Sequence, residues 1–220
     1  MKNNKTFIAV FTIFLVLLLD QALKIYIKTN FYYNEEIFVF GHWFSLLFVE
    51  NKGMAFGWQL PFFSEETAKV LLSLFRIVAG GVIGYYLWAL IKRNISIGLI
   101  ISISLIFAGA LGNILDSIFY GLMFTESPKY ADIVAEIVPL GKGYTSILNG
   151  HVVDMLKFDL FTINLPWYGS FNFFAPIFNL ADFAITVGVV IILLFQRKNF
   201  QAHFFANEKE NEVEKTQEGF

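Results

Sequence analysis

What most limits how this chain can fold is a set of four apolar stretches, each long enough to cross a bilayer. They lie at about 7–27, 70–91, 95–119 and 176–196. A helix needs about 20 mostly apolar residues to span the hydrocarbon core. Charged residues make up 15% of the 220-residue chain and hydrophobic ones 56%, whereas a soluble domain carries about 25% charged residues. The first stretch follows Lys2 and Lys5 but has no small-residue cleavage site after it. It continues through Asp20-Gln21-Ala22-Leu23-Lys24, so it reads as a retained helix and not as a signal peptide. Pro176 is suited to the start of the fourth helix.

Short basic flanks orient such a bundle. Lys2 and Lys5, Lys92 and Arg93, and Arg197 and Lys198 fall on one side of an even number of spans. Both termini are therefore expected in the cytoplasm, with the connections 28–69 and 120–175 outside. In the first connection, Ile37–Phe40 and Trp43–Val49 read as strands of a small sheet on the membrane surface. The second is rich in Gly, Pro and aromatic residues and has no clear period. Residues 1–200 form the four-span domain. Residues 201–220 form an acidic tail, with Glu208, Glu210, Glu212, Glu214 and Glu218 against Lys209 and Lys215, and are expected to be cytoplasmic and disordered.

Polar residues inside a span are costly and are usually functional or tightly paired. Here they cluster toward the outer ends. Asp20 and Lys24 are four apart in the favoured acid-first order, which suits a structural ion pair or a role at the substrate. Arg76 is placed to snorkel outward or to hold a lipid head group. Gly109, Gly112, Asn113 and Asp116 share a helical stripe; small residues allow close helix contact, and Asn113 then suits an interhelical hydrogen bond. Asn179 and Asp182 face one way, and an acid there also fits the first turn of a helix. Asp154 follows Val152-Val153 in a short extended piece, where a lone acid is more often a solvated loop residue. The topology lets Asp116, Asp154, Asp182 and Asn51 meet at one depth.

With no Cys, thiolate nucleophiles, disulfides and Cys-based metal sites are excluded. The three His (His42, His151 and His203) are not at metal-ligand spacing, and Ser146 near His151 lacks a G-x-S-x-G elbow. No basic patch points to nucleic acid. What remains is carboxylate chemistry. Two close acids cannot both ionise, so they share a proton, and one activates water while the other donates to a carbonyl.

Five segments together resemble the signal peptidase II (lipoprotein signal peptidase) family. Asp20-Gln21-Ala22-Leu23-Lys24 resembles its D-Q-x-x-K, and Glu50-Asn51-Lys52-Gly53-Met54-Ala55-Phe56-Gly57 its E-N-x-G-x-A-F-G. Gly109–Asp116 resembles G-A-x-G-N-x-x-D, Val152-Val153-Asp154 resembles V-V-D-F, and Phe178–Asp182 resembles F-N-x-A-D. The resemblance covers about 15–196. It implies a membrane α-helical fold of four transmembrane helices, with a small extracytoplasmic β-cradle and an outer loop cap. It also implies an aspartic endopeptidase of the bacterial cytoplasmic (inner) membrane, with its active site at the outer leaflet. Such an enzyme removes signal peptides from diacylglyceryl-modified prolipoproteins, cutting before the lipidated Cys. The implied catalytic pair is Asp154 and Asp182. Asn51, Gly53, Asn113, Asp116, Asn179, Asp20, Lys24 and Arg76 are substrate-binding or supporting. No metal or cofactor is implied. Membrane lipids and a globomycin-type inhibitor are implied partners, and a monomer is expected.

The chain departs from that pattern in three places. Ser117 stands where the family usually has Arg, and Arg76 is a candidate to replace it. An insertion over 122–150 is expected to enlarge the outer cap, and Met155 replaces the usual Phe. Two other classes fit a small polytopic chain: an ion- or proton-coupled transporter, with acids near mid-bilayer, and a non-enzymatic scaffold of an envelope complex.

Overall fold

A chain in lipid must satisfy its backbone hydrogen bonds internally, so apolar runs of this length become helices. The structure is a computed structural model and describes residues 2–51, 64–93, 95–160, 162–165, 167, 169–172 and 176–201. Among the described residues, four helices are long and apolar enough to span a membrane: Asn4–Asn30, Glu66–Lys92, Ile97–Met123 and Leu180–Gln201. We name the helices that contain them α1 (Lys2–Asn30), α2 (Glu65–Lys92), α3 (Ile97–Met123) and α4 (Leu180–Gln201). Near its C-terminal end α3 widens into a π-type turn over Asp116–Tyr120, a feature frequent at functional sites.

The sequence placed the fourth helix from 176, and the structure corrects this. Ile177–Phe178 form a strand, and α4 begins at Leu180. Asn179 is the stronger start signal, because its side-chain oxygen accepts from the Asp182 backbone N–H at 2.9 Å. Pro176 therefore precedes a strand, and Asp182 lies in the first turn of α4.

The helix α3 is the centre of the bundle. Its small residues make this possible: a Cβ at Gly109 would strike the Ala181 carbonyl of α4, and one at Gly112 would sit 2.7 Å from the Asp20 carboxylate of α1. The outward faces of the other helices are apolar, including Phe7, Phe11 and Phe14 on α1, Phe75 and Val78 on α2, and Leu194 and Phe195 on α4. One end of the bundle gathers basic flanks. There the Lys5 ammonium donates to the Arg93 carbonyl at 3.3 Å, and the Ser96 hydroxyl donates to Gln196 at 2.7 Å.

At the opposite end sits an antiparallel sheet of β1 (Glu36–Phe40), β2 (Phe44–Asn51), β3 (Val152–Phe158) and β6 (Ile177–Phe178), in the order β1-β2-β3-β6. A separate hairpin pairs β4 (Thr162–Leu165) with β5 (Gly169–Asn172). The strands expected in the first connection are both present; β3 and β6 come from the second, where no period was visible. A core of Ile27, Phe31, Phe48, Tyr120, Phe124, Val153 and Met155 welds the sheet to the ends of α1 and α3. Met155 is fully buried there, so it serves as core.

The inserted segment folds over the same end. The Thr145 N–H donates to the Gly121 carbonyl at 3.0 Å, and the Ser73 hydroxyl of α2 donates to the Leu148 carbonyl at 2.8 Å. A bridge also joins Tyr32 and Val134. Gly53 and the rest of the segment after Asn51, like the acidic tail from 202 onward, lie outside the described residues.

Candidate active site

The site is built on one buried cation. Lys24, on α1, has no solvent exposure, and an ammonium has three donors. These meet Asp20 at 3.0 Å, Asp116 at 2.8 Å and the Asn113 side-chain oxygen at 3.0 Å. The remaining oxygens are also satisfied. Asp20 Oδ1 accepts from the Ala181 N–H at 2.9 Å, helping to cap α4. Gln21 Nε2 donates to Asp116 Oδ1 at 2.9 Å, and the Val153 N–H approaches Asp116 Oδ2 at 3.4 Å. Asp20, Lys24 and Asp116 are completely buried and answer one another's charges.

From this base two asparagines carry the order outward. The Lys24 ammonium can only donate, so it fixes Asn113 with its oxygen toward Lys24 and its amide outward. That amide donates to Asp182 Oδ1 at 2.7 Å. The Asn179 amide donates to Asp154 Oδ1 at 2.7 Å and to Asn113 Oδ1 at 3.1 Å. Asp154 faces Val49 across the β2–β3 ladder, and the Asn51 side chain also hydrogen-bonds to it. The two acids of V-V-D and F-N-x-A-D thus meet through a shared amide network, as the topology suggested. Burial pushes the Asp154 carboxyl up to about 7, with the charge of Asp182 as the next cause. Lys24, Asn179 and Asn51 pull the other way.

Arg76 reaches the same region from α2. Its Nη1 donates to the Ser117 hydroxyl at 3.4 Å, and it lies in the field of Asp182, Asp116 and Asp154. The structure thus brings together Asp20, Lys24, Asn51, Arg76, Asn113, Asp116, Asp154, Asn179 and Asp182 at one end of the bundle. Gly53 falls outside the described residues.

A second polar cluster was missed from sequence. Lys28, one turn beyond Lys24, is fully buried and pairs with Glu50 and Ser127. Glu50 also pairs with His151 Nδ1 at 2.9 Å, and the His151 N–H donates to the Tyr144 hydroxyl at 2.6 Å. Burial alone would raise the Glu50 carboxyl, but the His151 hydrogen bond and the Lys28 charge hold it below the usual range. The 20, 24, 28 spacing on one helix face was the available signal for Lys28. Nothing local points to Ser127 or Tyr144, which arrive through the inserted segment.

The fold and site define a polytopic membrane protein with a buried, polar, carboxylate-bearing centre at one end of a four-helix bundle. A model of the family described as Signal peptidase (SPase) II matches residues 12–197. The chain is 42% identical over 189 residues to a lipoprotein signal peptidase of Porphyromonas gingivalis, a match covering 83% of this chain and 79% of that one. It is 40% identical over 195 residues to one of Amoebophilus asiaticus, covering 85% and 76% of the two chains. A solved structure described as a bacterial membrane enzyme superposes with a TM-score of 0.53 at 24% identity, covering 90% of each chain. A second, at 25% identity and the same TM-score of 0.53, covers 87% of this chain and 91% of that one. The chain belongs to the signal peptidase II family, and it is an aspartic-type membrane protease of bacteria.

Proposed function

We propose that Asp154 and Asp182 are the catalytic pair of this protease, sharing one proton in the resting state. The observation that carries the reading is the amide network that holds both carboxyls at one place. The Asp154 carboxyl, pushed up to about 7, is poised for proton transfer near neutral pH. The ionised member of the pair takes a proton from water as the water oxygen bonds to the scissile carbonyl carbon. The neutral member gives its proton to the carbonyl oxygen, so the pair keeps one proton. On collapse the C–N bond breaks. The amine leaves with a proton from one carboxyl, and a hydroxyl proton of the diol returns to the other.

The substrate is a prolipoprotein carrying diacylglycerol on its lipobox Cys, cut just before that Cys. Asn113 and Asn179 position the pair, Asn51 and Asp116 support it, and Asp20 and Lys24 tie α1 to α3 and α4. The basic end, where Lys5 meets Arg93, faces the cytoplasm with both termini. The sheet and the pair then lie at the outer leaflet. Residues 1–200 act as one peptidase unit with 201–220 as a tail, and the chain works as a monomer in contact with lipid and open to a globomycin-type inhibitor.

The test is cleavage of a diacylglyceryl lipobox peptide by the purified chain in detergent with EDTA present. Wild type is expected to cut before the lipidated Cys, while folded Asp154→Asn and Asp182→Asn are dead. Cleavage by either variant at the wild-type rate would remove that residue from the pair.

A further inference from the structure

Among the described residues, charged side chains from three helices surround the carboxyl pair: Lys24 of α1 acts on Asp154, and Arg76 of α2 lies in the field of both acids and of Asp116 of α3. The two cations are not equivalent. Lys24 is fully buried, and its three donors are spent on Asp20, Asp116 and Asn113. Arg76 is only half-buried. Of the five N–H donors of its guanidinium, one is used among the described residues, in the 3.4 Å contact with the Ser117 hydroxyl. It makes no ion pair with a described carboxylate, yet it lies in the field of Asp182, Asp116 and Asp154. Ser117 is itself held in place, because its hydroxyl donates to the Asn113 carbonyl at 3.0 Å. A cation that keeps directed donors over from its described partners, tethered beside two acids, is arranged to meet an oxygen that comes from outside the protein.

We infer that Arg76 binds the scissile carbonyl oxygen of the substrate and stabilises the negative charge that builds there. This rests on Asp154 and Asp182 being the catalytic pair. As water adds, the carbonyl electron pair moves onto oxygen before the neutral carboxyl has delivered its proton. The guanidinium lowers the energy of that moment and keeps its own protons throughout. Ser117 anchors Arg76 and is a positioning residue.

The experiment compares the full chain in detergent with Arg76→Ala, Arg76→Lys and the double variant Arg76→Ala with Ser117→Arg, using the diacylglyceryl lipobox peptide. Arg76→Ala is expected to lower kcat by about 100-fold or more with little change in KM. Arg76→Lys keeps the charge but not the planar fork, so a fall of about 10-fold is expected. The double variant returns a guanidinium to the same spot from α3 and is expected to recover at least about tenfold over Arg76→Ala. Losing the cation also favours protonated carboxyls, so the pH–rate bell of Arg76→Ala is expected to move to higher pH, a change a purely structural role does not produce. A kcat for Arg76→Ala within about threefold of wild type overturns the inference, as does a loss confined to KM. Should Arg76→Ala fail to fold, Arg76→Lys decides: a wild-type kcat overturns the inference, and a reduced kcat at a wild-type melting temperature supports it. If Asp154→Asn and Asp182→Asn are dead while Arg76→Ala is fully active, only this inference falls. If the aspartate variants are active, the reading beneath it falls instead.

Discussion

Lys24 and Asn113 are joined by a 3.0 Å hydrogen bond that decides which way the asparagine faces. Because the ammonium offers only protons, the Asn113 amide is left for Asp182, which it meets at 2.7 Å. Replacing Lys24 by Met removes this constraint and leaves Asp20 and Asp116 as uncompensated buried acids. Loss of one partner of a buried ion pair costs about 3–5 kcal/mol. Thermal unfolding in detergent is expected to show that Lys24→Met is severely destabilised, and that adding Asp20→Asn and Asp116→Asn recovers much of the loss. Failure of the triple variant to exceed the single one would count against the buried cluster.

Asn179 has two separable tasks. Its oxygen caps α4 and its amide holds Asp154. Asn179→Ala loses both, including about 1 kcal/mol of capping. Asn179→Ser keeps a capping hydroxyl but cannot reach Asp154 with an amide. The serine variant is expected to melt near the wild-type temperature and to cleave as poorly as the alanine variant. Wild-type cleavage by Asn179→Ser would show that the amide contact is dispensable.

The acid Asp154 makes stability depend on pH. Its carboxyl is raised from 3.8 to about 7 on folding. The folded state therefore holds a proton that the unfolded chain has released between those values, and stability falls as pH rises through this window. Above about 7 the cost is constant and amounts to a few kcal/mol at one unit per about 1.4 kcal/mol. Asp154→Asn, which never ionises, is expected to melt higher than wild type at pH 8, with the gap closing toward pH 4. An equal gap at both pH values would contradict the burial of this carboxyl.

Close approach in the bundle is testable at glycines that differ only in surroundings. A Cβ at Gly109 would run into the α4 backbone at Ala181, whereas one at Gly81 would meet nothing within 4 Å. Gly109→Ala is expected to separate α3 from α4 and to abolish cleavage. Gly81→Ala, at an open position on α2, is expected to be neutral or to stabilise by up to about 1 kcal/mol. Melting curves and cleavage rates of the two variants check this directly.

How legible each part was in the sequence follows from how local its cause is. The spans could be read because lipid demands an apolar run of set length, and Asn179 with Asp182 could be read as a pair because one helix turn joins them. The start of α4 was misplaced because a proline is a strong local sign, while the strand at Ile177–Phe178 forms only by pairing with Leu156 and Lys157 far along the chain. That Asp116, Asp154, Asp182 and Asn51 would gather at one end was visible from topology. The amides that bridge them, and the role of Gln21 between Asp20 and Asp116, depend on side-chain directions that spacing does not convey. The cluster of Lys28, Glu50, His151, Ser127 and Tyr144 was missed for a different reason: helical spacing offered a sign of Lys28 alone. It is assembled across an insertion whose course no period announces.

The Asp20–Lys24 pair also bears on how such a chain enters the membrane. Its two charges lie one helical turn apart on the same helix, 3.0 Å from each other. That pair can therefore cross into lipid as a neutral zwitterion, before any other segment exists to receive it. Only later does α3 bring Asp116 and Asn113 to the ammonium, and α4 bring the Ala181 N–H to the carboxylate. A salt bridge within one helix thus becomes the template on which α4 is set, so the polar end is completed only once α4 has been made.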